Sequence, residues 1–219
     1  MNKKLAIVLG ICLATLSIAA CGQEKQNNSE IIQPMEKTGV ENTEVEMTSE
    51  ELLDLFVNGS IDAIDSADLT STFNITDLNM DTGEWDSYSV GERVDLDNDG
   101  ESELILCGPY GGIYLDARDN KVYEFVAGDG NANSLSYTYF NGFVWILYSN
   151  CTNAGYETYY MAKYEGADNL VAEISFGEEL VDATNPELGM KYTWNGKEVS
   201  YEEYSAYCSK IFAAQVNTY

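Results

Sequence analysis

The chain of 219 residues carries 37 Asp and Glu against 11 Lys and Arg, a net charge of −26, and no His. So negative a field repels nucleic acid and anionic lipid and attracts cations and basic partners. Without His, Ser-His-Asp and Cys-His catalysis and the usual zinc sites are excluded.

Lys3 and Lys4 open the chain, an apolar run starts at Leu5, and small residues close it at Ala19 and Ala20. This is the layout of a secretory signal peptide over residues 1–20. The run falls short of the roughly 18–20 residues of a membrane-spanning helix. Ile18-Ala19-Ala20-Cys21 then resembles the lipobox of bacterial lipoproteins, with Ile18 where that family more often has Leu. The resemblance implies that Cys21 takes a palmitate-type lipid and becomes the first mature residue. It also implies an extracytoplasmic chain, anchored to the outer face of the bacterial cell membrane. An ordinary cleaved signal with an incidental Cys is the alternative. Cleavage removes Lys3 and Lys4 and no acid, so the net charge moves from −26 to −28.

Residues 21–47 hold no aromatic side chain and are rich in Glu, Gln and Asn. They cannot bury enough apolar area to offset the entropy of ordering them, and read as a disordered tether. Every Phe, Trp and Tyr lies beyond them, beginning at Phe56, so residues 48–219 form the single globular domain.

Thr48-Ser49-Glu50-Glu51 is a capping box, and Leu52, Leu55 and Phe56 follow at helical spacing up to Asn58-Gly59. Residues 60–90 mix short segments with turn formers and stay ambiguous. Strands are expected from there on. Arg93–Leu96 leads into an acidic loop and Leu104–Leu106 leads out of it. Gly111–Asp116 and Lys121–Ala127 flank a turn at 117–120; Ser134–Phe140 and Phe143–Tyr148 flank Asn141-Gly142. The Asn-Gly pair is a strong hairpin signal because both residues tolerate positive φ. Glu157–Tyr164 and Leu170–Phe176 make a third hairpin, and Tyr192–Trp194 turns at Asn195-Gly196. Ser200-Tyr201-Glu202-Glu203 repeats the capping box, and Tyr204, Cys208, Ile211 and Phe212 share a helix face. The expectation is an α+β fold, an antiparallel β-meander of hairpins with an N-terminal and a C-terminal helix.

The stretch VDLDNDGESELIL places Asp95, Asp97, Asp99, Glu101 and Glu103 on alternate residues. In a straight strand they would line one face and repel. Curled around a cation, Asp95, Asp97 and Asp99 point inward at positions 1, 3 and 5, and Gly100 permits the bend. Glu101 would offer its backbone carbonyl, and Glu103 would complete the shell directly or through water. Leu106 stands at position 12 where an EF-hand needs Glu, so the loop is not an EF-hand. D-x-D-x-D-G-x-x-E resembles the calcium loops of FG-GAP or VCBS-type repeats, in which a β-hairpin carries the ion. Those families repeat the motif and this chain has it once, so the resemblance implies the calcium-binding roles, not the propeller. The alternative is a solvated Asn-Asp-Gly turn. The whole domain is also similar to surface lipoproteins of Gram-positive gut bacteria, in which a similar loop precedes a stretch like GPYGGIYLDARDNKVY; that resemblance supplies no activity.

Gly108-Pro109-Tyr110-Gly111-Gly112 precedes a strand rather than a helix, so it reads as a tight connection and not a phosphate cradle. In an oxidising compartment a disulfide could form from two of Cys107, Cys151 and Cys208; small buried thiols are the other reading. Tyr137, Tyr139, Trp145 and Tyr159 sit among the aromatics that crowd the central hairpins. Such rings suit a glycan- or protein-binding surface, and equally a sheet core. No catalytic constellation can be named. The chain therefore reads as a non-enzymatic, calcium-stabilised binding or scaffolding lipoprotein that meets an envelope protein or glycan. A hydrolase using a carboxylate pair and a ligand-delivery subunit of a transporter are the alternatives.

Overall fold

The computed structural model describes residues 46–150, 152 and 155–219. The expected signal segment, Cys21, the expected tether up to residue 45, and Cys151 lie outside them. Helix α1 spans Ser49–Val57. Thr48 Oγ1 accepts the Glu51 N–H at 3.2 Å and the Glu51 carboxylate accepts the Thr48 N–H at 3.0 Å, so two otherwise orphaned donors are satisfied. Asn58 closes the helix and Gly59 follows at φ +77°. Six strands then form the first sheet: β1 (Ala63–Ile64), β2 (Thr72–Phe73), β3 (Ser89–Val94), β4 (Glu103–Cys107), β5 (Ile113–Arg118) and β6 (Lys121–Ala127), in the order β2-β1-β6-β5-β4-β3.

A second sheet takes β7 (Ser134–Phe140), β8 (Phe143–Ser149), β9 (Tyr156–Tyr164), β10 (Leu170–Leu180), β11 (Met190–Trp194) and β12 (Lys197–Val199). Helix α2 spans Tyr201–Phe212 behind its own capping box at Ser200, and β13 (Gln215–Asn217) returns to pair with β7. The hairpin turns are as expected: Asp119-Asn120, Asn141-Gly142 and Asn195-Gly196 all have positive φ at both residues, which matches the twist of the strands they join. The ambiguous stretch 60–90 supplies β1 and β2, and β1 pairs with β6 in parallel, the one parallel pair among the described strands.

Strand alternation sorts the apolar residues into three layers. Leu104 and Leu106 of β4, with Leu115 and Ala117 of β5, pack against Leu52, Leu53 and Phe56 of α1. Ile105 and Tyr114 point the other way, against Leu135, Tyr137, Val144 and Ile146 of the second sheet. Trp145, Leu147 and Met161 then face Tyr204 and Ile211 of α2. The order is helix, sheet, sheet, helix. β4 and β8 are covered on both faces, which explains their unbroken apolar runs. Each fully buried Leu or Phe in these layers contributes about 1.5–3 kcal/mol. The β4–β5 connection turns through Gly111 and Gly112 at φ +96° and +78°; a Cβ on either would lie 1.9 Å from a backbone oxygen.

Candidate metal centre

The acidic loop is the β3–β4 connection, residues 95–102. Two residues fasten it to the second sheet. Leu96 is fully buried between the sheets. Asn98, at φ +62°, donates Nδ2 to the carbonyls of Val144 and Tyr164, both at 3.1 Å, and accepts the Val144 N–H at 2.9 Å. The Asp97 carbonyl accepts the Gly166 N–H at 3.1 Å. The intervening Asp side chains are left to face one another.

The structure brings Asp95, Asp97, Asp99 and Glu103 together, as the spacing requires, and adds Asp116 from the middle of β5. Two overlapping groups form, Asp95–Asp97–Asp99 and Asp97–Glu103–Asp116. Within each, one oxygen from every member lies within 4.8 Å of the others. Asp97 belongs to both. Charges at that distance repel by about 3.5 kcal/mol per pair at an effective dielectric of 20.

Turn hydrogen bonds organise the cluster without neutralising it. Asp97 Oδ1 accepts the Asp99 N–H at 3.1 Å and Asp99 Oδ1 accepts the Glu101 N–H at 2.8 Å. Glu103 Oε2 accepts the N–H groups of Leu96 at 2.5 Å and Asp97 at 3.1 Å, folding the loop over its own carboxylate. Asp97 is 1% exposed and Glu103 2%. Asp97 Oδ2 and Asp95 Oδ1 are buried without any hydrogen-bond partner. A buried, unpaired carboxylate oxygen carries a large desolvation penalty.

The electrostatics record that penalty. Burial, reinforced by Asp97, pushes the Glu103 carboxyl up to about 8. Burial, reinforced by Asp99, pushes Asp97 up to about 6. A cation is near in one direction only: Arg118 pairs with Asp116 through Nη1 and with Asp168 through Nη2 at 2.7 Å. Arg118 pairs with neither Asp97 nor Glu103. A pocket of about 200 Å³ opens over the cluster, between Asp97, Asp99, Asp116 and the 166–169 turn. The buried cluster of Asp97, Glu103 and Asp116 can therefore hold a metal ion, with a route to it from solvent.

Glu101 lines the same pocket, but its side chain is exposed, accepts from Ser49 Oγ at the start of α1 and joins neither carboxylate group, so only its backbone carbonyl is left to offer. Asp116 was invisible to the spacing argument, because it reaches the loop only through the pairing of β4 with β5. Its one sequence signal is an acid inside an apolar strand, IYLDAR, where burial is expected.

The aromatic candidates divide. Tyr137 and Trp145 are buried, and Trp145 Nε1 donates to the Phe140 carbonyl at 3.1 Å. Tyr159 stacks on Phe176 at 4.9 Å beneath α2. Tyr139 is exposed. The four make no common surface: Tyr137 and Tyr139 share one face of β7, with ring centroids 6.0 Å apart, while Trp145 and Tyr159 belong to the layer beneath α2. Cys107 and Cys208 are free thiols, so they are not joined to each other. No family model, curated protein or solved structure matches the chain.

Proposed function

We propose that this is a membrane-anchored extracytoplasmic lipoprotein, a binding or scaffolding module of the cell envelope, in which a structural calcium ion at Asp97 holds the loop that joins the two sheets. The observation that carries the cation is the pair of partnerless, buried oxygens on Asp97 and Asp95, set among further carboxylates. The donors are all oxygen, which suits a hard cation such as Ca²⁺ over Zn²⁺ or Cu²⁺. Asp97 is the central ligand, Asp95, Asp99 and Asp116 contribute oxygens, and Glu103 shapes the loop through Oε2 and offers Oε1. The ion supplies positive charge and adds stability by binding the folded loop alone. Loop and ion together connect β3–β4 to the β8–β9–β10 edge, through Asn98 and the Asp97 carbonyl.

The anchor rests on the sequence of residues 1–21. Incorporation of labelled palmitate that disappears in Cys21→Ser tests it. Calorimetric titration of CaCl₂ into EDTA-treated protein tests the cation. One site per chain is expected, with an affinity of about 10⁻⁴ to 10⁻³ M, as in extracellular modules. Calcium at ten times that constant adds about 1.4 kcal/mol. Absence of both heat and a melting shift in 10 mM CaCl₂ rules the calcium reading out.

A further inference from the structure

The two most exposed large hydrophobic side chains among the described residues are Tyr219, at 80%, and Trp85, at 78%. Both line one pocket of about 600 Å³, between the segment before β3 and the β4–β5 connection. Tyr110 joins them from that connection. It holds φ +55°, ψ +24°, a left-handed conformation that bulky residues rarely adopt and that clusters at ligand sites. None of these three rings stacks on another aromatic side chain among the described residues, and Tyr110 is itself partly exposed. The backbone that carries Tyr219 is held in place. Thr218 is buried: its Oγ1 donates to the Gly111 carbonyl at 2.6 Å and meets the Tyr114 hydroxyl at 2.9 Å, and its carbonyl accepts the Gly108 N–H at 3.0 Å. Those contacts fix where Tyr219 emerges. Gly108 lies flat against Tyr88, with no room for a Cβ.

We infer that this pocket binds a neutral oligosaccharide. The inference gives the binding-module reading a ligand class and does not depend on the cation. A pyranose ring offers an apolar C–H face to a Trp or Tyr and a rim of hydroxyls to polar neighbours. The lining supplies both: separate ring faces, the hydroxyls of Thr82 and Ser89, and the Glu84 carboxylate. No Lys or Arg lines the pocket, and the chain carries −26 overall, so phosphorylated or acidic glycans meet no counter-charge. A quaternary ammonium ion needs rings converging on one point; no two of these three rings form an aromatic pair with each other among the described residues. Glu84 is the single acidic side chain of the lining, which fits binding rather than hydrolysis by a pair of Asp or Glu side chains.

The test titrates the full chain, in 2 mM CaCl₂, with cellohexaose, xylohexaose, mannohexaose and chitohexaose, reading tryptophan emission and heat. At least one is expected to bind saturably and shift the emission to the blue. Trp85→Ala and Tyr219→Ala are each expected to weaken it tenfold or more. Their melting temperatures stay at the parent value, because both rings are exposed. Failure of all four sugars to bind overturns the inference, as does binding that both variants leave unchanged. Saturable binding of choline chloride, or of an extended peptide at the β3 edge, with no response to sugars, overturns it in favour of another ligand class. The melting shift with calcium, read on the same samples, reports the cation site alone, so failure at either site is told apart from failure at the other.

Discussion

Removing calcium should invert the pH dependence of stability. In the metal-free fold, Glu103 keeps its proton up to about pH 8 and Asp97 up to about pH 6, both because they are buried beside other acids. In the unfolded chain both ionise near pH 4. Between those values the folded state binds more protons, so stability is full at low pH and is lost as pH rises through the folded values. The groups facing the pair are Asp95 and Asp99 of the loop and Asp116 of β5, with Arg118 engaged by Asp116 and Asp168. At 1.36 kcal/mol per pH unit, Glu103 alone costs the metal-free fold on the order of 4 kcal/mol between pH 5 and 8. For a domain of this size that lowers Tm by about 8–16 °C. Bound calcium requires the ionised carboxylates, so its contribution grows over the same range. Thermal melts at pH 5, 6.5 and 8, in EDTA and in 5 mM CaCl₂, should diverge as pH rises. Parallel profiles, or an EDTA profile that improves toward pH 8, would refute the reasoning.

Asp97→Asn should raise metal-free stability at pH 8, where it removes a buried charge, while abolishing the melting shift with calcium; paired melts check both signs. Glu103→Gln should flatten the metal-free pH profile, read by the same melts. Asn98→Ala removes three hydrogen bonds to the β8–β9 edge. About 2–4 kcal/mol in urea unfolding is expected, together with weaker calcium binding in the titration. Ser200→Ala deletes the α2 cap and should cost about 1 kcal/mol in the same unfolding assay, with calcium affinity unchanged.

What could be read from the sequence was local. Both capping boxes lie within four residues, and the hairpin turns are set by two adjacent residues whose φ must be positive. The loop acids are likewise neighbours, so Asp95, Asp97, Asp99 and Glu103 could be grouped by spacing alone. What escaped depends on distant pairing. Alternation along Ser134–Phe140 is plain, but nothing in it says that β6 and β7 belong to different sheets. Without that division, Tyr137 and Trp145 read as a surface although they lie in two separate cores. Asp116 reaches the loop through strand register, and β1 finds β6 in parallel across more than fifty residues. Trp85, Tyr110 and Tyr219 share a pocket for the same reason: the fold, not their spacing, brings them together.

The most direct measurement is an anomalous difference map from a crystal grown in millimolar calcium. One peak is expected, about 2.3–2.6 Å from Asp97 Oδ2 and from oxygens of at least two of Asp95, Asp99 and Asp116. A featureless map, with those side chains turned outward to solvent, would contradict it.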